Sequence, residues 1–329
     1  MKVSVIVVTY NQEHTIGRTL DSILAQDLRA DYEIVIGDDA STDGTERICR
    51  SYAAQYPDRI VYLRRERNLG VTANYFDCIR RARGEYLADC AGDDYWVDPG
   101  KLRRQVELLD SDPRVSLVAT DWLCRDSDSG ELSRHPANPS ATTPLRFAAG
   151  TLTFPLLAGE RIIHLCTALY RRDIITDAVD KNPDIYVDSE YSCEDQQILL
   201  AMAEAGDIVV LPEVTLHYSV GHDSVSHPAD YARKFRYSLR ALRQTMLLQR
   251  HFDVAGAALD KAAARRVNHL SAMALRSGPD NEAEPSERRI SRLKALIRQF
   301  QLPLPLKARL YMAVMRCPAL WGIVNRLRK

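Results

Sequence analysis

Apolar residues come first as continuous runs and then at helical spacing. The run KVSVIVVTY at 2–10 is unbroken and β-branched, as expected of a strand covered on both faces of a parallel sheet. Within 13–27, Ile16, Leu20, Ile23 and Leu24 recur on one helical face. YEIVIG at 32–37 predicts a second buried strand, followed by the turn DDASTDGT and a helix reaching Tyr56. Asp43 and Glu46 have capping-box spacing for that helix. RIVYLRR reads as a third strand, VTANYFDCIRRA as a third helix and EYLADC as a fourth strand. This alternation predicts an α/β domain with a doubly wound, mostly parallel sheet, whose ligands sit beyond the carboxyl ends of the strands. Three loops fall at such ends: TYNQE, GDDASTDGT and AGDDYW.

From about 126 to 160 the pattern loosens into Ser-, Pro- and Asn-rich loop chemistry. Order returns with IIHLCTALYRRDII, a helix over 194–205 and the strand DIVVLPEVTLHYSV, followed by the polar GHDSVSHP. After Pro228 the chain is helical in character, with a break at SGPDNEAEPS. The expected division is a domain over 1–227 and a helical C-terminal region over 228–329.

Lys+Arg and Asp+Glu both total 44, but the balance is local. Residues 285–329 hold eleven basic residues against the single acid Glu287, which leaves the preceding body net acidic. A basic tail on an acidic body points to an anionic partner. The tail mixes Leu, Met, Trp and Tyr with Lys and Arg, as an amphipathic helix at an anionic membrane surface does; packing on the main domain would also explain it. No motif or aromatic platform supports nucleic acid as the partner. The seven cysteines are scattered without CxxC spacing, which favours a reduced, cytoplasmic protein over a disulfide framework. VSVIVV is too short for a signal peptide, and no segment approaches the roughly 20 apolar residues of a membrane span.

Neither GxxxxGK nor GxGxxG occurs among the 15 glycines, so a bound phosphate needs another source of positive charge. The adjacent Asp93 and Asp94 stand at the predicted mouth of the sheet. Two neighbouring carboxylates repel unless a cation intervenes, and a hard divalent ion such as Mn²⁺ or Mg²⁺ meets that need while gripping a diphosphate. The competing explanation is a turn that opens the helix begun by DPGKL.

Four stretches, VSVIVVTYNQEHTIGRTLDSILAQ, YEIVIGDDASTDGT, RNLGVTANYFDCIRRARGEYLADCAGDDYWVDPGKLRRQ and EDQQILLAMAEAGDIVVLPEVTLHYSVGHDSVS, resemble in that order the motifs of family 2 glycosyltransferases with the GT-A fold. The resemblance covers about 1–227. It implies a metal-dependent, inverting transferase that takes a sugar from a nucleotide diphosphate donor. The acceptor is expected to be a glycan or a lipid-linked hydroxyl in surface polysaccharide synthesis, reached by an enzyme that is peripheral at the inner membrane face. Thr9, Asn11, Asp38 and Asp39 match nucleoside-binding positions, with Asn68 and Gly70 in the turn beside the nucleotide. Asp94 is expected in the nucleotide-sugar site, and Trp96 is expected to wall the sugar.

Asp93 matches the last acid of the family's DxD motif and is the expected metal ligand, whereas the first acidic position holds Ala91. Asp89 could compensate through water, although a strand carboxylate with a local partner explains it as well. His222 is the second candidate for the metal or diphosphate. Asp195, beside Glu194 at a helix start, matches the base that inversion requires. The departure at Ala91 also admits a second reading, a catalytically inactive nucleotide-sugar-binding or scaffold protein.

Overall fold

In a computed structural model, residues 1–136, 138, 141–221, 230–276 and 286–315 are described. His222 and the basic tail from 316 onward lie outside the described residues. The chain divides into two compact units, one of Met1–Ser189 with Cys193–Gly221 and the other of Glu190–Ser192 with His222–Lys329.

The first unit opens with β1 (Val3–Thr9), α1 (Ile16–Leu24), β2 (Tyr32–Asp38), α2 (Thr45–Gln55), β3 (Ile60–Arg64), α3 (Val71–Arg81) and β4 (Tyr86–Asp89). These four strands pair in parallel, in the order β3-β2-β1-β4. β2 is buried along its whole length, which its continuous apolar run requires. Asp43 stands one residue outside the expected capping box. Its Oδ1 accepts from Thr45 N at 3.0 Å, while Glu46 turns to Arg50 and Arg64 at 2.8 and 3.0 Å. The reciprocal half of the box does not form.

There follow β5 (Tyr95–Trp96), α4 (Lys101–Ser111), β6 (Val115–Asp126), β7 (Leu132–Ser133), β8 (Leu145–Phe147), α5 (Thr153–Ala158), β9 (Leu169–Arg171), α6 (Arg172–Lys181), α7 (Pro183–Tyr186), α8 (Asp195–Ala205) and β10 (Asp207–Val220). The sheet continues as β9-β6-β10-β5, with β9 antiparallel to both β4 and β6. The polarity of β6 hides it in the sequence. Its buried Ser116, Thr120 and Asp121 are satisfied across the sheet and loops, by Met202 O, by the Thr215 hydroxyl and by Arg134. β10 follows β6 in parallel, with register irregularities around Pro212, the residue that cannot donate to the ladder.

The second unit contains α9 (Tyr231–His251), α10 (Ala257–Arg276), α11 (Ser286–Phe300) and α12 (Leu306–Val314). Its core gathers Phe235, Leu242, Val267, Leu270, Leu293 and Met312. Asp230 caps α9 through Arg233 N at 2.8 Å. No helix among the described residues is long and apolar enough to cross a membrane.

Candidate active site

The carboxyl ends of β1, β2 and β4 bring Thr9, Asp38 and Asp89 to one edge of the sheet. The loops beyond them lock together through side chain to backbone bonds. Asn11, exposed and left-handed at φ 53°, receives Thr42 N on Oδ1 at 2.8 Å. Asp38 is fully buried, with Ser41 N on Oδ1 at 2.9 Å and the Tyr62 hydroxyl on Oδ2 at 2.7 Å. Asp39 reaches the turn that carries Asn68 and Gly70. Its two oxygens accept from Leu69 N and Gly70 N at 2.7 and 2.9 Å, and burial nevertheless raises its pKa. Gly70 adopts φ 85°, a left-handed conformation that suits glycine.

The Asp93–Asp94 loop packs onto the first loop at Gly92. A Cβ at that position would collide with Gln12 Oε1 and approach Thr9 Oγ1, which itself donates to Gln12 at 2.7 Å. The two aspartates then divide. Asp93 is half-buried, and its carbonyl receives Ser219 Oγ at 2.6 Å. Asp94 is fully buried, with Ser219 N on Oδ1 at 2.8 Å and no partner on Oδ2. Burial, and then the charge of Asp93, pushes its pKa well up. Asp94 therefore holds β10 to the loop, a structural position that differs from the ligand-facing one expected of it.

Trp96 also departs from expectation. It is only 4 % exposed, belongs to the core, and donates Nε1–H to Cys166 O at 2.9 Å. The β5–β10 pairing turns it inward, so it does not wall an open sugar site. Above its ring lies the ammonium of Lys101, 4.1 Å from the centroid. Lys101 is fully buried, bonded to Gln105 Oε1 at 2.9 Å, and burial pulls its pKa down to about 7.

Glu194 and Asp195 stand half-buried at the start of α8. Burial pushes Asp195 up to about 6, against a hydrogen bond from the Cys193 thiol. Glu194 is pushed well above its usual range by burial and by the Asp195 charge, and its Oε2 has no partner. Cys166 is within electrostatic reach of both Asp94 and Asp195.

The partners of Asp89 come from elements distant in the sequence. Its Oδ1 accepts the Tyr75 hydroxyl of α3, which is in turn bonded to the Tyr170 hydroxyl of β9. His164 was missed altogether. Its ring lies 4.5 Å from Tyr218 and 5.2 Å from Trp122, and burial lowers its pKa to about 4 while the Asp93 charge opposes the fall. No local motif marks either Asp89's tyrosines or His164.

Among the described residues no three His, Cys, Asp or Glu side chains cluster as metal ligands. Of the two adjoining carboxylates Asp94 is enclosed, and half-buried Asp93 is the one open to an ion. Such an oxygen donor suits a hard divalent ion that draws its remaining oxygens from phosphate and water.

Residues 4–178 match the sequence profile described as glycosyl transferase family 2. A Mycobacterium tuberculosis protein described as uncharacterized is 33 % identical over 273 residues, covering 83 % of this chain and 74 % of its own length. The putative glycosyltransferase EpsE of Bacillus subtilis is 38 % identical over 150 residues, 46 % of this chain and 52 % of that protein. The crystal structure of S. aureus TarS superposes with a TM-score of 0.60 at 21 % identity, over 99 % of this chain and 54 % of TarS. A mannosyltransferase from Pyrobaculum calidifontis, in complex with GDP-Man and Mn²⁺, superposes at 0.52 with 19 % identity, over 100 % of this chain and 88 % of its own. With the sheet order, the loop motifs and the profile in agreement, the chain belongs to glycosyl transferase family 2.

Proposed function

We propose that the protein is an inverting glycosyltransferase that moves a sugar from a nucleotide diphosphate donor to a hydroxyl of a glycan or lipid-linked acceptor. The observation that carries this reading is the acid pair opening α8, where burial pushes the Asp195 carboxyl up to about 6. It is ionised at neutral pH yet basic enough to take a proton. In the proposed step Asp195 removes the acceptor hydroxyl proton while that oxygen attacks the anomeric carbon. The bond to the diphosphate breaks on the opposite face, and the nucleoside diphosphate leaves with the electron pair.

Thr9, Asn11, Asp38, Asp39, Asn68 and Gly70 would line the nucleoside. Each carboxylate oxygen can accept a second hydrogen bond, so Asp39 keeps capacity for an imide hydrogen beside its two backbone donors. Asp93 would hold Mn²⁺ or Mg²⁺, with His222 as a second ligand. When bound, the ion supplies charge neutralisation for the departing diphosphate. Solved structures of TarS with UDP and with UDP-GlcNAc, and of the mannosyltransferase with GDP-Man and Mn²⁺, support this donor class. The name of a putative teichuronic acid biosynthesis glycosyltransferase of Bacillus subtilis supports surface polysaccharide synthesis. The domain over 1–227 would carry catalysis, and the basic tail within 228–329 would meet an anionic membrane at the cytoplasmic face.

The test is transfer from UDP- and GDP-linked sugars with Mn²⁺, Mg²⁺ or a chelator, alongside Asp195→Asn. One donor is expected to turn over, with loss of transfer in the variant but retained binding by calorimetry. Full activity of Asp195→Asn removes the mechanism. Donor binding without turnover on any acceptor instead favours a nucleotide-sugar-binding scaffold, the reading that Ala91 in the DxD position invites.

A further inference from the structure

We infer that Asp89 is a positioning residue for the base, standing as a neutral carboxylic acid that Tyr75 and Tyr170 orient within electrostatic reach of Glu194 and Asp195. The inference rests on the proposed role of Asp195.

Asp89 ends β4 and is 4 % exposed. One oxygen is fixed by the tyrosine pair, while Oδ2 is buried and has no hydrogen-bond partner. An ionised carboxylate oxygen enclosed without a donor is costly, and a proton on Oδ2 removes that charge. The groups that face Asp89 are Tyr75 from α3, Tyr170 from β9, Lys101 from α4, Glu194 and Asp195 from the start of α8, and its chain neighbour Cys90. Lys101 is the one cation among them, and its ammonium is directed to Gln105 and to the Trp96 ring. Burial pushes the Asp89 pKa up to about 8; the Asp195 charge adds to the rise, while Tyr75, Tyr170 and Lys101 oppose it.

The consequence falls on Asp195. An ionised Asp89 would make Asp195 hold its proton more tightly, lifting its titration into the neutral range and leaving less free base there. A neutral Asp89 adds no such rise to the value of about 6 that burial gives Asp195.

Infrared difference spectra and pH–rate profiles of wild type, Asp89→Asn and Asp89→Ala test this. Asn reproduces a neutral acid, accepting from Tyr75 and donating from the other arm. At pH 7 the wild type is expected to show the carbonyl stretch of a protonated carboxyl group that Asp89→Asn lacks. Asp89→Asn is expected to keep kcat within about threefold, with an unmoved acid limb. Asp89→Ala is expected to lose about tenfold or more in kcat at unchanged donor KM. The inference is overturned by absence of that band, by an acid limb shifted to lower pH in Asp89→Asn, or by wild-type turnover in Asp89→Ala. If Asp89→Ala does not fold, the Asn variant decides alone through its band and its acid limb. Asp195→Asn separates the two levels: if it stays fully active, the base assignment fails. If it is inactive while Asp89→Asn breaks these expectations, only the role of Asp89 falls.

Discussion

Asp39 and Asp94 are both carboxylates 4 % exposed or less at the mouth of the same sheet, yet their surroundings differ. Asp39 has a backbone N–H on each oxygen, whereas Asp94 has one on Oδ1 and nothing on Oδ2. Burial raises both pKa values, and for Asp94 the adjacent Asp93 adds to the rise. The two sides hold negative charge in different ways. At the nucleoside loops it is met by the chain's own amides, which build the loops before any ligand arrives. Around β4 and α8 the acids keep unmet accepting capacity, as Glu194 and Asp89 also do. A proton or a cation is what that side lacks.

The two sides differ most in what a substitution at the base would do. Asp195→Asn should lower turnover by about 10²–10⁴-fold with donor affinity retained, measured by steady-state transfer and calorimetry. In the wild type, kcat should fall about tenfold per pH unit below pH 6, because the raised carboxyl protonates there and can no longer accept a proton. Gly92→Val tests the contact between the two sides: overpacking against Thr9 and Gln12 should cost about 1–3 kcal/mol, read from urea midpoints. Two further substitutions of comparable size separate the two aspartates by sign. Asp39→Ala strands two amides and should destabilise by about 1–3 kcal/mol. Asp94→Asn keeps the Ser219 bond and should melt above the wild type near pH 8. A raised native pKa makes stability fall as pH climbs above the unfolded carboxyl value, so that gain should vanish in acid.

Much of the parallel half of the sheet was legible because β1 and β2 are continuous apolar runs whose burial on both faces leaves no room for alternation. β6 was not, since its polar residues are satisfied by partners up to 95 positions away. The site follows the same rule. Residue types at strand ends could be read locally, and the two acids opening α8 stand where they were expected. The direction in which Asp94 and Trp96 face could not. It is set by Ser219, 125 residues along the chain from Asp94, and by the carbonyl of Cys166, 70 from Trp96. Asp89 shows the limit well: its carboxylate was visible, but Tyr75 and Tyr170 meet it only because α3 packs on β1 and β2 and β9 pairs with β4.

The thiol that hydrogen-bonds Asp195 offers a practical handle. Cys193 is half-buried, while the other five described cysteines are buried. A maleimide should therefore label Cys193 first among them, and a bound acceptor should slow that labelling. The alkylation rate would then act as a reporter of acceptor occupancy that needs no knowledge of which sugar is transferred.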